Sequence, residues 1–419
     1  MRLIYKFYTR HTEQIDALFK VSNNLWNQAL YVFRQRLDSD GTWLWYNDMD
    51  KIMKRTLNLD GECNYRLLKA QCSQQILRVL DKSIKAYCKS IKDWKKHPEK
   101  YKAMPRMPNY RKRGGMFNLY FPNQGATIKD GHMKLDKNLI IAIPQWEKYG
   151  GEFSKFNQIR LIPERDKVKV EIVYEKELVV SDVDKSKYAS IDLGIDNLAT
   201  MVTSDGCIIW SGKHLKSYNR YFNKELARLQ SVKDLQGIKR STKRIMALYA
   251  KRDKHFEDVF HKVSRQIVDV LVEQKIGTLA VGYNVGWKHK SDMGKRNNQK
   301  FVQLPFARLT SYLGYKCKLA GIDFIEHEEC YTSKCDALAL EEICKHEGYL
   351  GKRVKRGLFR SSVGKIINAD QNGALNILRK VVGDSEFVRI IGSGHSLCPV
   401  RHCNPFNRSA RGIDKVLKK

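Results

Sequence analysis

The stretch from residue 188 to 210 constrains the fold more than any other part of the chain. Three short runs, 188–193, 198–203 and 207–210, are rich in apolar and β-branched residues and are separated by short turns. The second turn is Ser204-Asp205-Gly206, a hairpin signal, so the runs are expected to pair antiparallel. A long helical stretch over 218–274 follows. After it come a buried strand over 276–282, a helix near 305–320 and a strand over 322–326.

Three antiparallel strands, then helix, strand, helix, strand is the element order of an RNase H-like sheet. The first half of the chain reads differently. Residues 2–8 alternate like a strand, and 13–37 and about 65–95 carry apolar residues at helical spacing: Ile15, Leu18, Phe19, Leu25, Trp26, Leu30 and Phe33, then Leu68, Cys72, Ile76, Leu80, Ile84, Tyr87, Ile91 and Trp94. From 117 to 177 the pattern is four strand-like runs separated by turn residues such as Asp130-Gly131. These runs predict a β-barrel or sandwich that takes in the N-terminal strand, with the first helices inserted into it.

Charge narrows the partner. Lys+Arg number 77 against 45 Asp+Glu, a net charge of +32, so the chain repels itself unless a polyanion neutralises it. Between 95 and 113, Lys95, Lys96, Lys100, Lys102, Arg106, Arg111, Lys112 and Arg113 alternate with Tyr101 and Tyr110 among Pro98, Pro105 and Pro108. The prolines keep this segment out of helix, and cations interleaved with aromatics suit phosphate contact plus base stacking. A solvated linker is the plain alternative. No apolar run reaches the roughly 18 residues needed to span a bilayer, and Met1–Lys6 alternates like a strand rather than a signal peptide. The expected location is therefore the cytoplasm, without a membrane partner. The ten cysteines show no disulfide spacing.

Two acidic motifs stand out. Asp192 lies in Ser190-Ile191-Asp192-Leu193-Gly194-Ile195-Asp196-Asn197, at the end of the first strand of the 188–210 set. Asp370 lies in Asn368-Ala369-Asp370-Gln371-Asn372-Gly373-Ala374-Leu375-Asn376-Ile377, which opens a helix. Carboxylates at neighbouring strand ends can hold a pair of Mg²⁺ ions for phosphodiester hydrolysis. A strand-end aspartate alone is more often a turn or cap residue, and it is the pair within this strand order that carries weight.

On these residues the chain resembles the TnpB family of transposon-encoded RNA-guided endonucleases, relatives of the type V CRISPR effectors. Asp192-Leu193-Gly194-Ile195 resembles the first RuvC motif, Tyr331-Thr332-Ser333-Lys334 the segment before the family's zinc ribbon, and Asn368–Ala374 the third RuvC motif. The resemblance implies an α+β multidomain chain. A wedge-like β-barrel (1–10 and 115–180) would carry an inserted helical recognition domain (11–114). A RuvC, RNase H-like α/β domain (187–380, with a degenerate ribbon at 330–366) and a basic tail (381–419) would follow. It implies a prokaryotic protein that binds a transposon-derived guide RNA and cuts matching double-stranded DNA. Base pairing would read most of the target. A nuclease-dead, RNA-guided repressor and a transposase acting in DNA recombination are the alternatives.

Two departures from the family pattern matter. The strand expected to end in the second RuvC glutamate runs Thr278-Leu279-Ala280-Val281-Gly282-Tyr283-Asn284, with Gly282 at that position. The following strand ends in Glu326-His327-Glu328-Glu329, and a carboxylate there can reach the same pocket. Glu329 is the favoured third ligand beside Asp192 and Asp370, with Glu328 second. Ordinary exposed acids are the competing reading. The ribbon's two cysteine pairs are also missing. Only Cys335 and Cys344 lie between Tyr331 and Asp370, so no structural zinc is expected. His395, Cys398, His402 and Cys403 follow no zinc spacing. Nucleic-acid contacts are expected from Lys112, Arg113, Arg252, Arg265, Lys288, Lys352, Arg353, Lys355 and Arg356, with His261, Asn284 and Trp287 as further candidates.

Overall fold

The computed structural model describes residues 1–164, 166–178, 181–283, 304–355, 357–392, 397 and 400–403. Asn284, Trp287, Lys288, Arg356, His395 and Cys398 lie outside the described residues. The fold is mixed α+β and divides into two units, Met1–Glu177 and Leu178–Lys419. No described helix is long and apolar enough to cross a membrane, and no disulfide links the described cysteines.

In the first unit, β1 (Arg2–Thr9) precedes the helices α1 (Glu13–Asp40), α2 (Tyr46–Met53) and α3 (Ala70–Lys96). The Thr12 side chain accepts from the Ile15 amide and starts α1, and Gly41, at φ 70°, ends it. The strands are β2 (Leu119–Pro122), β3 (Thr127–Lys129), β4 (His132–Lys134), β5 (Ile140–Ala142), β6 (Phe156–Pro163) and β7 (Val168–Glu175), with the short helix α4 (Trp146–Tyr149) before β6. They form a four-stranded antiparallel sheet in the order β1-β7-β6-β2 and a separate three-stranded sheet, β3-β4-β5. Apolar stripes predicted for the two long helices, Ile15, Phe19, Leu25, Trp26, Leu30 and Phe33 with Cys72, Ile76, Leu80 and Ile84, are buried in one core with the sheet residues.

Asn23 and Asn27 of α1 hold the extended basic segment by its backbone. They donate to the carbonyls of Lys112 (3.1 Å) and Arg111 (3.0 Å). Arg111 itself turns inward, its guanidinium 3.5 Å from the Phe117 ring centre and 4.8 Å from that of Trp26. Lys112 and Arg113 remain exposed.

The second unit is built on a six-stranded sheet. Its strands are β8 (Asp184–Asp192), β9 (Asn197–Thr203), β10 (Gly206–Ser211), β11 (Ile276–Tyr283), β12 (Asp323–Glu328) and β16 (Val400–Cys403), in the order β12-β11-β8-β9-β10-β16. β8, β9 and β10 are antiparallel, while β11 runs parallel to β8 and β12 parallel to β11. A small sheet of β13 (Lys352–Lys355), β14 (Leu358–Arg360) and β15 (Ile366–Asn368) stands apart from it.

The helical stretch predicted over 218–274 consists of two helices, α5 (Lys213–Leu235) and α6 (Lys243–Glu273). Gly237 turns left-handed at φ 63°, and Thr242 caps the second helix by accepting from the Ile245 amide. The remaining helices are α7 (Phe306–Leu319), α8 (Ala369–Val382) and α9 (Asp384–Ile391).

Alternation along the central strands decides what each sheet face meets. Ala189, Ile191, Ala199, Met201, Ile208 and Trp210 pack with Phe256, Phe260 and Val263 of α6 and Leu309 and Leu313 of α7. Val202, Cys207 and Ile209 pack with Ala374, Leu375 and Leu378 of α8. Ser190 shares that second face, donating to the Ala374 carbonyl at 2.7 Å. Asp192, two residues on, therefore points toward the start of α8.

Candidate active site

Strand register brings the acids together. β8 ends at Asp192, and β11 runs beside it with Val281 opposite Ile191, so Gly282 falls next to Asp192. β12 lies beyond, with His327 opposite Gly282. Past its end the chain turns sharply. Tyr331 has φ 63°, and the Thr332 amide (3.3 Å) and hydroxyl (2.9 Å) both donate to the Glu329 carbonyl. The turn folds Glu329 back over β11, where its Oε2 occupies the space that a side chain at 282 would fill.

Asp370 arrives from the other direction. Asn368 caps α8, its Oδ1 accepting from the Asp370 amide at 2.9 Å, which sets Asp370 in the first turn of the helix. Gly373 lets that helix approach the sheet closely: a Cβ there would stand 2.9 Å from Asp192 Oδ2. Asn197, at the start of β9, donates to Asp370 Oδ2 at 2.9 Å.

Electrostatics agrees with this convergence. The Asp192 carboxyl is pushed well above the usual carboxylate range by burial, then by the charges of Asp370 and Glu329, while Arg353 and the Leu193 amide pull the other way. Burial also raises Glu329, opposed by Lys380, whose ammonium donates to the carbonyls of Glu328 and Cys330 at 3.0 Å. Glu328, the alternative ligand, is exposed, and its carboxylate accepts the Cys330 thiol at 3.1 Å. All three converging acids are partly open to solvent.

Among the described residues, no three His, Cys, Asp or Glu side chains stand together as a group that could hold a metal ion. The site is a neighbourhood of like-charged oxygens, and its donor chemistry fits a hard divalent cation. One residue in it was invisible to sequence reasoning. Thr200 sits directly opposite Asp192 on β9, and its buried hydroxyl has no hydrogen-bond partner among the described residues.

The basic residues separate into two groups. Lys352, Arg353 and Lys355 are exposed on β13, and Arg353 Nη2 lies 3.8 Å from Asp370 Oδ1. Arg265 is exposed and paired with Asp269 at 2.8 Å. Arg252 instead turns inward, over the rings of Phe222 (4.9 Å) and Phe256 (4.7 Å), and bonds Asn219 at 3.0 Å. His261 stacks on Tyr312 at 4.1 Å.

Residues 171–288 match the family described as Probable transposase, and residues 306–377 match the Cas12f1-like TNB domain. The chain is 26% identical over 218 residues to the TnpB-like protein ORF457 of Acidianus two-tailed virus, covering 50% of this chain and 45% of that one. It is 25% identical over 230 residues to the CRISPR-associated endodeoxyribonuclease Cas12f2 of Micrarchaeota archaeon (strain CG1_02_47_40), covering 52% and 41%. It thus spans under half the length of these curated relatives. The fold is similar to that of a Cas12f1-sgRNA-target DNA complex solved by cryo-EM, with a TM-score of 0.53 and 16% identity, covering 87% of this chain and 82% of that one.

Proposed function

We propose, from the similarity to a TnpB-like protein and a type V effector, that the chain is a TnpB-type, RNA-guided, divalent-metal-dependent DNA endonuclease of transposon origin. The observation that carries the reading is Glu329. It lies over Gly282 and shares the electrostatics of Asp192, which Asp370 also faces. An acid missing from one strand end is supplied by the next.

In this reading the second unit is the RuvC, RNase H-like nuclease, and the first unit the wedge-like barrel with its inserted recognition helices. Asp192, Glu329 and Asp370 would hold Mg²⁺, which would supply an activated water and charge neutralisation at the phosphate. Asn197 and Arg353 orient Asp370 from two sides. The guide RNA and the double-stranded target are the partners that the exposed cations Lys112, Arg113, Arg265, Lys352, Arg353 and Lys355 fit by charge.

The test is cutting of guide-matched DNA in Mg²⁺ by the purified complex. Wild type should cut, and Asp192→Ala should bind the same DNA without cutting. Binding without cutting by wild type would leave the chain an RNA-guided DNA-binding repressor, the reading that Gly282 favours.

A further inference from the structure

Between β12 and α8 lie two buried carboxylates that the proposed chemistry does not use, Asp336 (0% exposed) and Glu341 (6%). Among the described residues neither pairs with a lysine or arginine side chain; neutral donors satisfy both. Asp336 Oδ2 accepts from the Ser361 hydroxyl (2.8 Å), the Ser362 amide (2.7 Å) and the Ser362 hydroxyl (3.0 Å). Its Oδ1 accepts from the amides of Leu338 (3.2 Å) and Ala339 (3.4 Å). Glu341 Oε1 accepts from the Leu350 amide at 2.8 Å, and its Oε2 from the Asp336 amide at 2.6 Å.

The geometry has a simple consequence. Leu350 precedes β13, and Ser361 and Ser362 follow β14. The two interlocked carboxylates therefore grip both ends of one hairpin.

The grip is itself fastened to the helix that bears Asp370. Asn372 bonds the Ala337 amide (3.1 Å) and the Cys335 carbonyl (2.9 Å). Asn376 donates to the carbonyls of Thr332 (2.9 Å) and Cys335 (2.7 Å). Arg379 donates to the Glu341 carbonyl at 2.9 Å. These three residues lie on one face of α8 and are buried. The hairpin that leaves this rigid base carries Lys352, Arg353 and Lys355 outward, with Arg353 beside Asp370.

We propose that Asp336 and Glu341 are positioning residues. They form a carboxylate clamp that does the work of a structural metal and holds the 352–360 hairpin so that Arg353 stands at the acidic site and meets a phosphate of the bound strand. The part of this that concerns phosphate rests on the nuclease reading above; the clamp itself does not. Buried acceptors make the clamp stiff, because opening it would leave the carboxylate oxygens of Asp336 and Glu341 inside the protein short of their donors.

The experiment uses the full chain as wild type, Asp336→Asn, Arg353→Ala and the double variant, with Glu341→Gln as a milder lesion should Asp336→Asn not fold. Amide exchange over 350–362 should be slow in wild type, unchanged by EDTA, and fast in Asp336→Asn while the 369–382 helix stays protected. In the guide complex, Asp336→Asn and Arg353→Ala should each slow cutting by about 10- to 100-fold, and the double variant should be no slower than Arg353→Ala alone. Loss of protection in EDTA, unchanged protection in both clamp variants, or losses that multiply in the double variant would overturn the proposal. If wild type does not cut, the nuclease reading falls, and exchange alone decides the clamp.

Discussion

Gly282→Ala tests the site with the smallest possible change. A Cβ at 282 would stand 2.6 Å from Ile377 Cδ1 and closer still to Glu329 Oε2. Both are far ends of flexible side chains, so the methyl group displaces them rather than breaking the sheet. In stability, alanine in a strand interior gains about 0.5–1 kcal/mol over glycine, and overpacking costs about 1–3 kcal/mol. The net is a loss of about 0–2.5 kcal/mol, which a domain stable by 5–15 kcal/mol survives. Cutting should fall far more, by about 100-fold, because the carboxylate is pushed roughly 1 Å or more from its place. Urea denaturation reads the first quantity and cutting of guide-matched DNA the second. The companion variant Gly282→Glu/Glu329→Ala returns the acid to the neighbouring strand and should recover part of the activity that Glu329→Ala loses. Wild-type cutting by Gly282→Ala would refute the argument, since the Glu329 carboxylate would then be dispensable where it stands.

Three further outcomes follow from burial and charge. Asp192 has a raised folded pKa, so its contribution to stability is present at low pH and lost as pH rises through that value. Asp192→Asn, without divalent ions, should therefore melt above wild type at pH 7, by about 2–4 °C for each kcal/mol relieved, and the gap should close below about pH 4. Thr200→Val removes a buried hydroxyl that has no partner among the described residues. It should stabilise the protein by about 1 kcal/mol in urea denaturation, and a loss would show that the hydroxyl is bonded. Lys316, buried against the His261 carbonyl and the Ser264 hydroxyl, has its pKa lowered to about 8 from 10.5. The unfolded chain binds the extra proton between those values, so stability rises with pH across that window in wild type, and Lys316→Met should flatten the rise.

The elements legible in the sequence are those whose signal is local. The helical stripe from Ile15 to Phe33 and the hairpin turn at Ser204–Gly206 state their structure within one window, and the structure places both in buried elements. What could not be read depends on distant partners. β16 is a strand only because Val400–Cys403 pairs with Cys207–Trp210. β13 to β15 are short, and β13 is exposed throughout; their base bonds to two carboxylates outside the strands, Asp336 and Glu341. Asp336 and Glu341 carry no signature, since an acid in a polar segment looks like any solvated charge until its donors are known.

The acidic centre is the intermediate case. Asp192 and Asp370 announce themselves through the residues around them: a glycine two positions on for the strand turn, and an asparagine cap with a close-packing glycine for the helix. Glu329 has no such surroundings, and its only trace in the sequence is a vacancy elsewhere, at Gly282. The sheet explains why that vacancy suffices. β11 and β12 are parallel neighbours in register, so a side chain folding back from just beyond the end of one reaches the space above the end of the other. A Cβ on residue 282 would collide with the Glu329 carboxylate there. A glycine on β11 is the condition for an acid on β12 to enter it, and an acid on β11 would exclude it. Gly282 and Glu329 therefore form a single structural feature written at two positions, and variation at either is interpretable only with the other in view.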